Sequence, residues 1–409
     1  MKAIVFHDIG DIRLDDVDEP SIEQPTDAIV RLTATAICGT DLHMVRGTMP
    51  GMKEGTILGH EGVGVVEELG PGVRDLEVGD RVIIPSTIAC GYCSYCRAGY
   101  HAQCDVANPN GSQAGTAFFG GPAATGPFHG LQAEYARVPF ANVGLVRIPD
   151  EVPDDAAILL SDIAPTGWFG ADMAHIHPGH TVAVFGCGPV GIFAIASAQM
   201  RRAGRILAVD HKPDRLQMAR RAGAETIDFS REDPVAVIRE LTGGIGVDRV
   251  IDAVGVDAER PHGGPAARDE DQERFDRMVA EVAPQAHPQN GSWQPGDAPT
   301  QSLEWAIQAV AKAGTIAIIG LYPQNVRAFP LGQAMMRNLS IRAGNCHHRR
   351  YIPELLERVR SGAFDPRHVL TQVEPLTSAI DAYRAFDRRE QGWLKVELTP
   401  PEPPPLAAA

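Results

Sequence analysis

Thr181-Val182-Ala183-Val184-Phe185-Gly186-Cys187-Gly188-Pro189-Val190-Gly191 reads as a continuous apolar strand that runs into a glycine-rich turn, and an alanine-rich helical segment follows it. Gly186, Gly188 and Gly191 form the pattern G-x-G-x-x-G, which becomes specific when a strand precedes it and a helix follows. In that setting the glycines let a diphosphate approach the amino end of the helix, where unpaired backbone N–H groups and the helix dipole favour an anion. The next strand, Ile206-Leu207-Ala208-Val209, ends on Asp210, 24 positions after Gly186. A carboxylate there accepts from adenosine ribose hydroxyls and repels a 2′-phosphate, so the expected cofactor is NAD rather than NADP. Arg205 and Lys212 nearby would soften that preference.

The βα alternation continues through 247–255 and 315–320, as a doubly wound parallel sheet requires. The apolar run 315–320, followed by Tyr322-Pro323, leads toward a sheet edge that would otherwise be open, and subunits are expected to associate there as a homodimer or homotetramer. Residues 256–301 break the rhythm. Arg268 to Val282 has helical charge pairing and a weak apolar face of Phe275, Met278, Val279 and Val282, whereas 284–300 is polar and proline-rich. A connection of that length is functional or floppy.

The amino-terminal part has a different grammar. Residues 1–36 alternate short apolar runs with Pro20, Pro25 and acidic turns, and 62–70 and 79–84 read as further strands with glycines where a sheet bends. That is the pattern of a small antiparallel barrel. From about 345 the chain returns to this first domain, and from Thr399 on the Pro- and Ala-rich end is expected to be a disordered tail.

Two cysteine-bearing sets carry the chemistry. Cys90, Cys93, Cys96 and Cys104 follow the spacing C-x2-C-x2-C-x7-C. Four thiolates on one excursion close a tetrahedral shell with no water position, as in a structural zinc site. A redox pair would leave two cysteines idle, and an iron–sulfur cluster usually lacks the tight x7 closure. The second set begins with Cys38-Gly39-Thr40-Asp41-Leu42-His43 and continues at Gly59-His60-Glu61. Cys38 and His60 can meet at one Zn²⁺ if the glycine-rich segment between them doubles back. Thr40 and His43 add a hydroxyl and an imidazole able to carry a proton to solvent. Asp162 lies just ahead of a helix, where an aspartate either caps the helix or serves as a third ligand. Residues 109–135, with Phe118, Phe119 and Phe128, are expected either to cover the mouth of the site or to form a plain surface loop.

At 409 residues the chain exceeds the size at which one core keeps growing, so two domains are expected. A net charge of −15 argues against nucleic acid as a partner. The first seven residues suit an edge strand better than a signal sequence, and no apolar run reaches the roughly 18 residues of a membrane span. Four of the seven cysteines crowd into 90–104, which in a long chain without an export signal means metal before disulfide and a reducing cytoplasm.

With the motifs around Cys38, His60, the four cysteines and Gly186 in view, the chain resembles the zinc-containing medium-chain alcohol dehydrogenase superfamily over almost its whole length. The resemblance implies a fold of class α/β: a GroES-like, β-rich catalytic domain at 1–163 and 345–409 with the zinc lobe at 90–104, and a Rossmann domain at 164–344 with the insertion 256–301. It implies two zinc ions per subunit, NAD, and a small alcohol or aldehyde as substrate. The stretch Leu159, Ser161-Asp162-Ile163 and Pro165-Thr166-Gly167 looks like the branch of glutathione-independent formaldehyde dehydrogenase, where Asp stands in place of the more usual Cys as third ligand; Asp162 then joins Cys38 and His60 at the catalytic zinc. The same resemblance places Thr40 and His43 in the proton path, Glu61 and Asp41 behind the ligands, and Thr166, Ile319 and Leu321 near the nicotinamide. It puts Gly186, Gly188, Pro189, Val190 and Gly191 at the diphosphate, Asp210 at the ribose and Lys395 at the pyrophosphate, with a solvated lysine as the alternative for Lys395. The insertion is expected to lie over the adenosine and slow NAD release, with a solvated insertion that touches only a neighbouring subunit or nothing as the alternative. Competing readings are an aldehyde-oxidising or dismutating enzyme that retains NAD, and a nucleotide-binding structural protein without catalysis.

Overall fold

Met1–Val45, Gly51–Asp162 and the chain from His347 onward form one unit, and Arg46–Pro50 with Ile163–Cys346 form a second. The computed structural model describes residues 1–401 apart from 112, 269–270 and 328. The excursion Arg46–Pro50 has no signal in the sequence. Its physical basis is Arg46, whose guanidinium pairs at 2.6 Å with Asp257 in the second unit, both side chains being buried.

In chain order the strands are β1 (Lys2–Asp8), β2 (Asp11–Asp16), β3 (Ala28–Ile37), β4 (Thr56–Ile57), β5 (Gly62–Leu69), β6 (Arg81–Ile84), β7 (Tyr135–Val138) and β8 (Val146–Arg147). There follow β9 (Thr181–Phe185), β10 (Arg205–Asp210), β11 (Glu225–Asp228), β12 (Val247–Asp252), β13 (Val310–Ile318) and β14 (Ser340–Ala343), then β15 (Gln372–Pro375) and β16 (Val396–Thr399).

In the first unit β3 is the spine, pairing antiparallel with β5, β7 and β16. The larger sheet runs β15-β16-β3-β5-β6-β8, and β2-β1-β4 forms a small second sheet. Val30, Leu32, Val66, Val82 and Ile84 share one apolar core with Cys90, Cys96 and Cys104, so the cysteine lobe is rooted in the sheet rather than hung from it. β16 runs through Thr399, which shortens the expected tail because Leu398 is wholly buried against the sheet. From residue 402 the tail lies outside the described residues.

The second unit holds a parallel sheet in the order β11-β10-β9-β12-β13-β14. This is the doubly wound order, with its reversal between β9 and β12, where ligands of such sheets bind at the carboxyl ends of the strands. β9 and β10 are buried on both faces and read as near-continuous apolar runs for that reason. The run 315–320 falls mostly in β13, one strand in from the sheet edge, because β14 pairs with it through Ser340, Ile341, Arg342 and Ala343. The open edge is β14, which is short and largely exposed.

The insertion 256–301 is folded. Its helix spans Gln272–Val282 rather than starting at Arg268, with 269–270 outside the described residues. Phe275 and Val282 are buried, and Met278 and Val279 are half-buried. The proline-rich half buries Trp293 and Ala298. Gly296 N donates to Asp257 Oδ1 at 3.1 Å, Arg260 N to Asp297 Oδ1 at 2.8 Å and Ala298 N to the Ala258 carbonyl at 3.0 Å, which stitches the two ends together.

Candidate functional site

Cys38 directly follows β3, His60 lies between β4 and β5, and Asp162 lies between the turn Ile158–Leu160 and the helix Ile163–Met173. The three come from separate parts of the first unit, yet ligand atoms of Cys38, His60, Glu61 and Asp162 all lie within 4.8 Å of one another, and all four residues are buried. Asp162 Oδ2 is 3.6 Å from Cys38 Sγ and 3.4 Å from His60 Nε2. Gly59 makes the approach possible. Its φ of +92° is left-handed, and a Cβ there would fall 2.4 Å from the Gln132 side chain.

His60 Nδ1 stands 3.1 Å from Asp41 Oδ1, and Asp41 Oδ2 accepts from Cys38 N at 2.9 Å and Gln132 Nε2 at 3.3 Å. Donation from Nδ1–H to Asp41 leaves the Nε2 lone pair facing Cys38 and Asp162, the arrangement in which a carboxylate orients a metal-binding imidazole. His60 Nε2 has no hydrogen-bond partner although it is buried. A buried nitrogen with no bond, converging with a thiol and carboxylates, is what a cation would satisfy. The charges agree with this. Burial opposes ionisation of Asp162, yet the hydrogen bond from His348 and the nearby His60 imidazole hold its carboxyl well below the ordinary range. Burial also works against protonation of His60, but Asp41 and Cys38 outweigh it and raise the imidazole well above its usual value. Zinc fits this donor set.

Glu61 and Lys395 require a correction. Lys395 is fully buried, its Nζ donates to the Ile37 carbonyl at 3.0 Å and is paired with Glu61 Oε2. It does not meet solvent, so the reading of a solvated lysine fails: a buried carboxylate beside the ligands demands a cation, and Lys395 supplies it. Burial pushes Glu61 up while Lys395 opposes the rise. Thr40 and His43 lie three positions apart on the helix Gly39–Arg46, hence on one face, with Thr40 part-exposed and His43 buried. Phe118, from the stretch expected to cover the mouth, sets its ring edge against His60 with centroids 6.2 Å apart.

The four lobe cysteines also have sulfurs within 4.8 Å of one another. Cys93 Sγ and Cys104 Sγ are 3.9 Å apart, far beyond a disulfide and close to the edge of a tetrahedron with Zn–S of about 2.3 Å. Backbone N–H groups of Cys93, Cys104's neighbour Ala107 and Cys90 point at these sulfurs at 3.3 Å. Burial raises the Cys93 thiol, but the backbone N–H groups of Cys96 and Asp105 bring it down to about 7.

In the second unit, Gly186, Gly188 and Gly191 differ in what they do. A Cβ on Gly191 would lie 1.9 Å from the Gly186 carbonyl oxygen, and Gly186 has φ +88°. Gly188 has an ordinary φ of −68°, and a Cβ there would meet no atom within 4 Å. Neither strain nor packing explains that glycine, so the reason lies with whatever must approach the backbone. Gly188 caps the helix Pro189–Met200 without a side-chain hydrogen bond, leaving the helix N-terminus to an anion. NAD fits this loop. Val190 follows Pro189 in the first turn.

Asp210 ends β10, accepting from Cys187 N at 2.8 Å, His211 N at 2.7 Å and Lys212 N at 3.0 Å, so it braces the glycine turn as well as standing where a ribose is expected. Arg205 begins the same strand and is paired with Glu225 at 2.6 Å, which takes it out of any role beside Asp210. His211 Nε2 meets Glu259 of the insertion at 3.0 Å. Thr166, Ile319 and Leu321 are all part-exposed; Thr166 is on the helix Ile163–Met173, and Ile319 and Leu321 follow β13. Sequence reasoning missed His348, whose Nε2 is 2.6 Å from Asp162 Oδ1. The doublet His347-His348 gave no spacing signal, since its partner lies 186 positions away.

Residues 24–150 match the alcohol dehydrogenase GroES-like domain, and residues 189–260 match the zinc-binding dehydrogenase family. An uncharacterised zinc-type alcohol dehydrogenase-like protein of Bacillus subtilis is 40% identical over 415 residues, covering 98% of this chain and 100% of that one. A glutathione-independent formaldehyde dehydrogenase of Pseudomonas aeruginosa is 38% identical over 282 residues, 66% of this chain and 69% of that one. Among solved structures, alcohol dehydrogenase TADH from Thermus sp. ATN1 superposes with a TM-score of 0.80 at 33% identity, covering 98% of this chain and 100% of that one. No helix among the described residues is long and apolar enough to cross a membrane.

Proposed function

Because the chain belongs to the zinc-type alcohol dehydrogenase family and is a zinc-dependent oxidoreductase, we propose that it transfers a hydride between a small alcohol, or an aldehyde hydrate, and NAD. The observation that carries this reading is the meeting of Cys38, His60 and Asp162 around an unpartnered His60 Nε2. Those three side chains hold the catalytic zinc, and Cys90, Cys93, Cys96 and Cys104 hold the structural one. The first unit is the GroES-like catalytic domain and the second the Rossmann domain.

Zinc supplies Lewis acidity toward the substrate oxygen, which brings the pKa of a hydroxyl from about 16 toward roughly 7. NAD, when bound, would supply the acceptor for the hydride that leaves the alcohol carbon as it becomes a carbonyl. The hydroxyl proton leaves through Thr40 Oγ1 and His43, a hydroxyl and an imidazole on one helix face. Asp41 holds the His60 tautomer throughout, and Glu61, neutralised by Lys395, tempers the charge behind the ligands. Gly186, Gly188, Pro189, Val190 and Gly191 bind the diphosphate, Asp210 the ribose, and Thr166, Ile319 and Leu321 the nicotinamide. The protein acts in the cytoplasm as a homodimer or homotetramer.

A second reading, an aldehyde-oxidising or dismutating enzyme that keeps its NAD, is favoured by Glu259 of the insertion pairing with His211 next to Asp210. A panel of alcohols and aldehydes with NAD, read as NADH absorbance on protein of known zinc content, tests the main reading. Turnover of at least one alcohol that stops when zinc is stripped supports it. Fully zinc-loaded protein that oxidises no alcohol and reduces no aldehyde overturns it. NAD absorbance in freshly purified protein selects the second reading.

A further inference from the structure

We propose that His348 is a positioning residue for Asp162, tying down one carboxylate oxygen so that only the other faces Cys38 and His60. This rests on the assignment of Asp162 as third zinc ligand. The two oxygens of Asp162 have different company. Oδ1 is 2.6 Å from His348 Nε2, whereas Oδ2 is the oxygen 3.6 Å from Cys38 Sγ and 3.4 Å from His60 Nε2. His348 is itself held by a tautomer lock, with Nδ1 3.1 Å from Thr87 Oγ1. To donate to a carboxylate, Nε2 must carry the proton; Nδ1 of the neutral ring is then an acceptor, and the Thr87 hydroxyl donates to it.

The chemistry of the third ligand explains why such a residue is needed. A thiolate offers one donor atom. A carboxylate offers two equivalent oxygens on a broad, soft torsion, so without a second partner it can turn or chelate with both. His348 removes that freedom. The mount is rigid, because His348 opens the helix His348–Arg360 and its neighbour His347 accepts from Ala102 N at 3.2 Å and sets its ring against Tyr100 at 5.3 Å. Ala102 is two residues before Cys104 and Thr87 three before Cys90, so the cysteine lobe braces both ends of the Thr87–His348 pair.

The test uses the full chain and measures zinc affinity at the Asp162 site by competition with a chromophoric chelator, together with the visible spectrum of the Co²⁺-substituted protein. His348→Ala is expected to weaken zinc there about 10- to 100-fold and to shift the Co²⁺ bands, with the lobe zinc retained as a check on folding. His348→Gln, whose amide can donate to Oδ1, recovers part of the loss, and Thr87→Val loses less than His348→Ala in the same direction. In an Asp162→Cys background, where there is no second oxygen to restrain, adding His348→Ala produces no further loss. Unchanged affinity and spectrum in His348→Ala overturn the proposal, as does an equal loss in the Asp162→Cys background. If Asp162→Ala keeps the second zinc at full affinity, the ligand assignment itself is wrong, a result distinct from failure of the His348 variants alone.

Discussion

Lys395 and Glu61 form an ion pair in which neither side chain has any exposed surface, 334 positions apart in the chain. β16 carries the ammonium to the end of β3, where it also meets the Ile37 carbonyl one residue before Cys38. Taking one member away leaves a buried charge without its partner. Lys395→Met should therefore cost about 3–5 kcal/mol in urea denaturation at neutral pH. The deficit should shrink as pH falls, because burial already raises the Glu61 pKa and a protonated Glu61 no longer needs the ammonium. NAD affinity of the folded variant should be unchanged if this pairing is the whole role of Lys395; a large loss of NAD binding with normal stability would assign it to the pyrophosphate.

Elemental analysis should find two zinc ions per subunit. Asp162→Ala should lose one and with it the activity, since His60 Nε2 and Cys38 Sγ alone do not close a site. Cys104→Ser should lose the other and lower stability more, because Cys104 belongs to the apolar core beneath the lobe.

Asp210 should make NAD the better cofactor by initial rate. Asp210→Ser should narrow the NAD-to-NADP ratio by about tenfold or more, by removing a charge that repels a 2′-phosphate. It should also cost on the order of 1–3 kcal/mol in thermal unfolding, since three backbone N–H groups lose their acceptor. Equal rates with both cofactors in the unaltered protein would remove the ribose role and leave only the bracing one.

The insertion should slow release of NAD through the Glu259–His211 contact beside Asp210. Glu259→Ala should raise the NAD dissociation rate several-fold in stopped-flow fluorescence without changing zinc content. Replacing 258–300 by a short Gly-Ser link should go further and also destabilise the second unit, because Phe275, Trp293 and Ala298 are buried. An unchanged dissociation rate in a folded deletion ends the lid reading.

Light scattering should give a mass of at least twice 43.9 kDa. The helix Leu331–Met336 leads toward the open strand β14 and exposes Leu331, Met335 and Met336 at 67%, 74% and 81%. An apolar patch beside an unpaired sheet edge is where a second copy is expected. Leu331→Asp with Met336→Asp should reduce the mass, and a native monomer at micromolar concentration would exclude this surface.

Much of this was written in local pattern. The run Thr181–Phe185 coincides with β9 because a strand covered on both faces must be apolar throughout. The four cysteines lie within one 15-residue excursion, and short spacing constrains their sulfurs to meet whatever the rest of the chain does. Cys38 and His60 were legible for a related reason, being only 22 positions apart across one short helix and glycine-rich turns.

Other features depend on pairings that no local pattern encodes. Whether β13 or β14 forms the edge is decided by which strand finds the last free row of N–H and C=O groups, and β14 is four residues long with little apolar signal. Lys395 reads in sequence as a solvated strand-end lysine; only the antiparallel pairing of β16 with β3 buries it against Glu61. Likewise the His347-His348 doublet looks like part of a basic run, and it becomes the mount for Asp162 only when the returning chain packs on the lobe. Sequence by itself determined the ligand types, the cofactor turn and the βα alternation of the second unit, since each rests on residues close in the chain. The tertiary structure alone decided which charges are buried and who neutralises them, because desolvation depends on what surrounds a group in space rather than on its neighbours along the backbone.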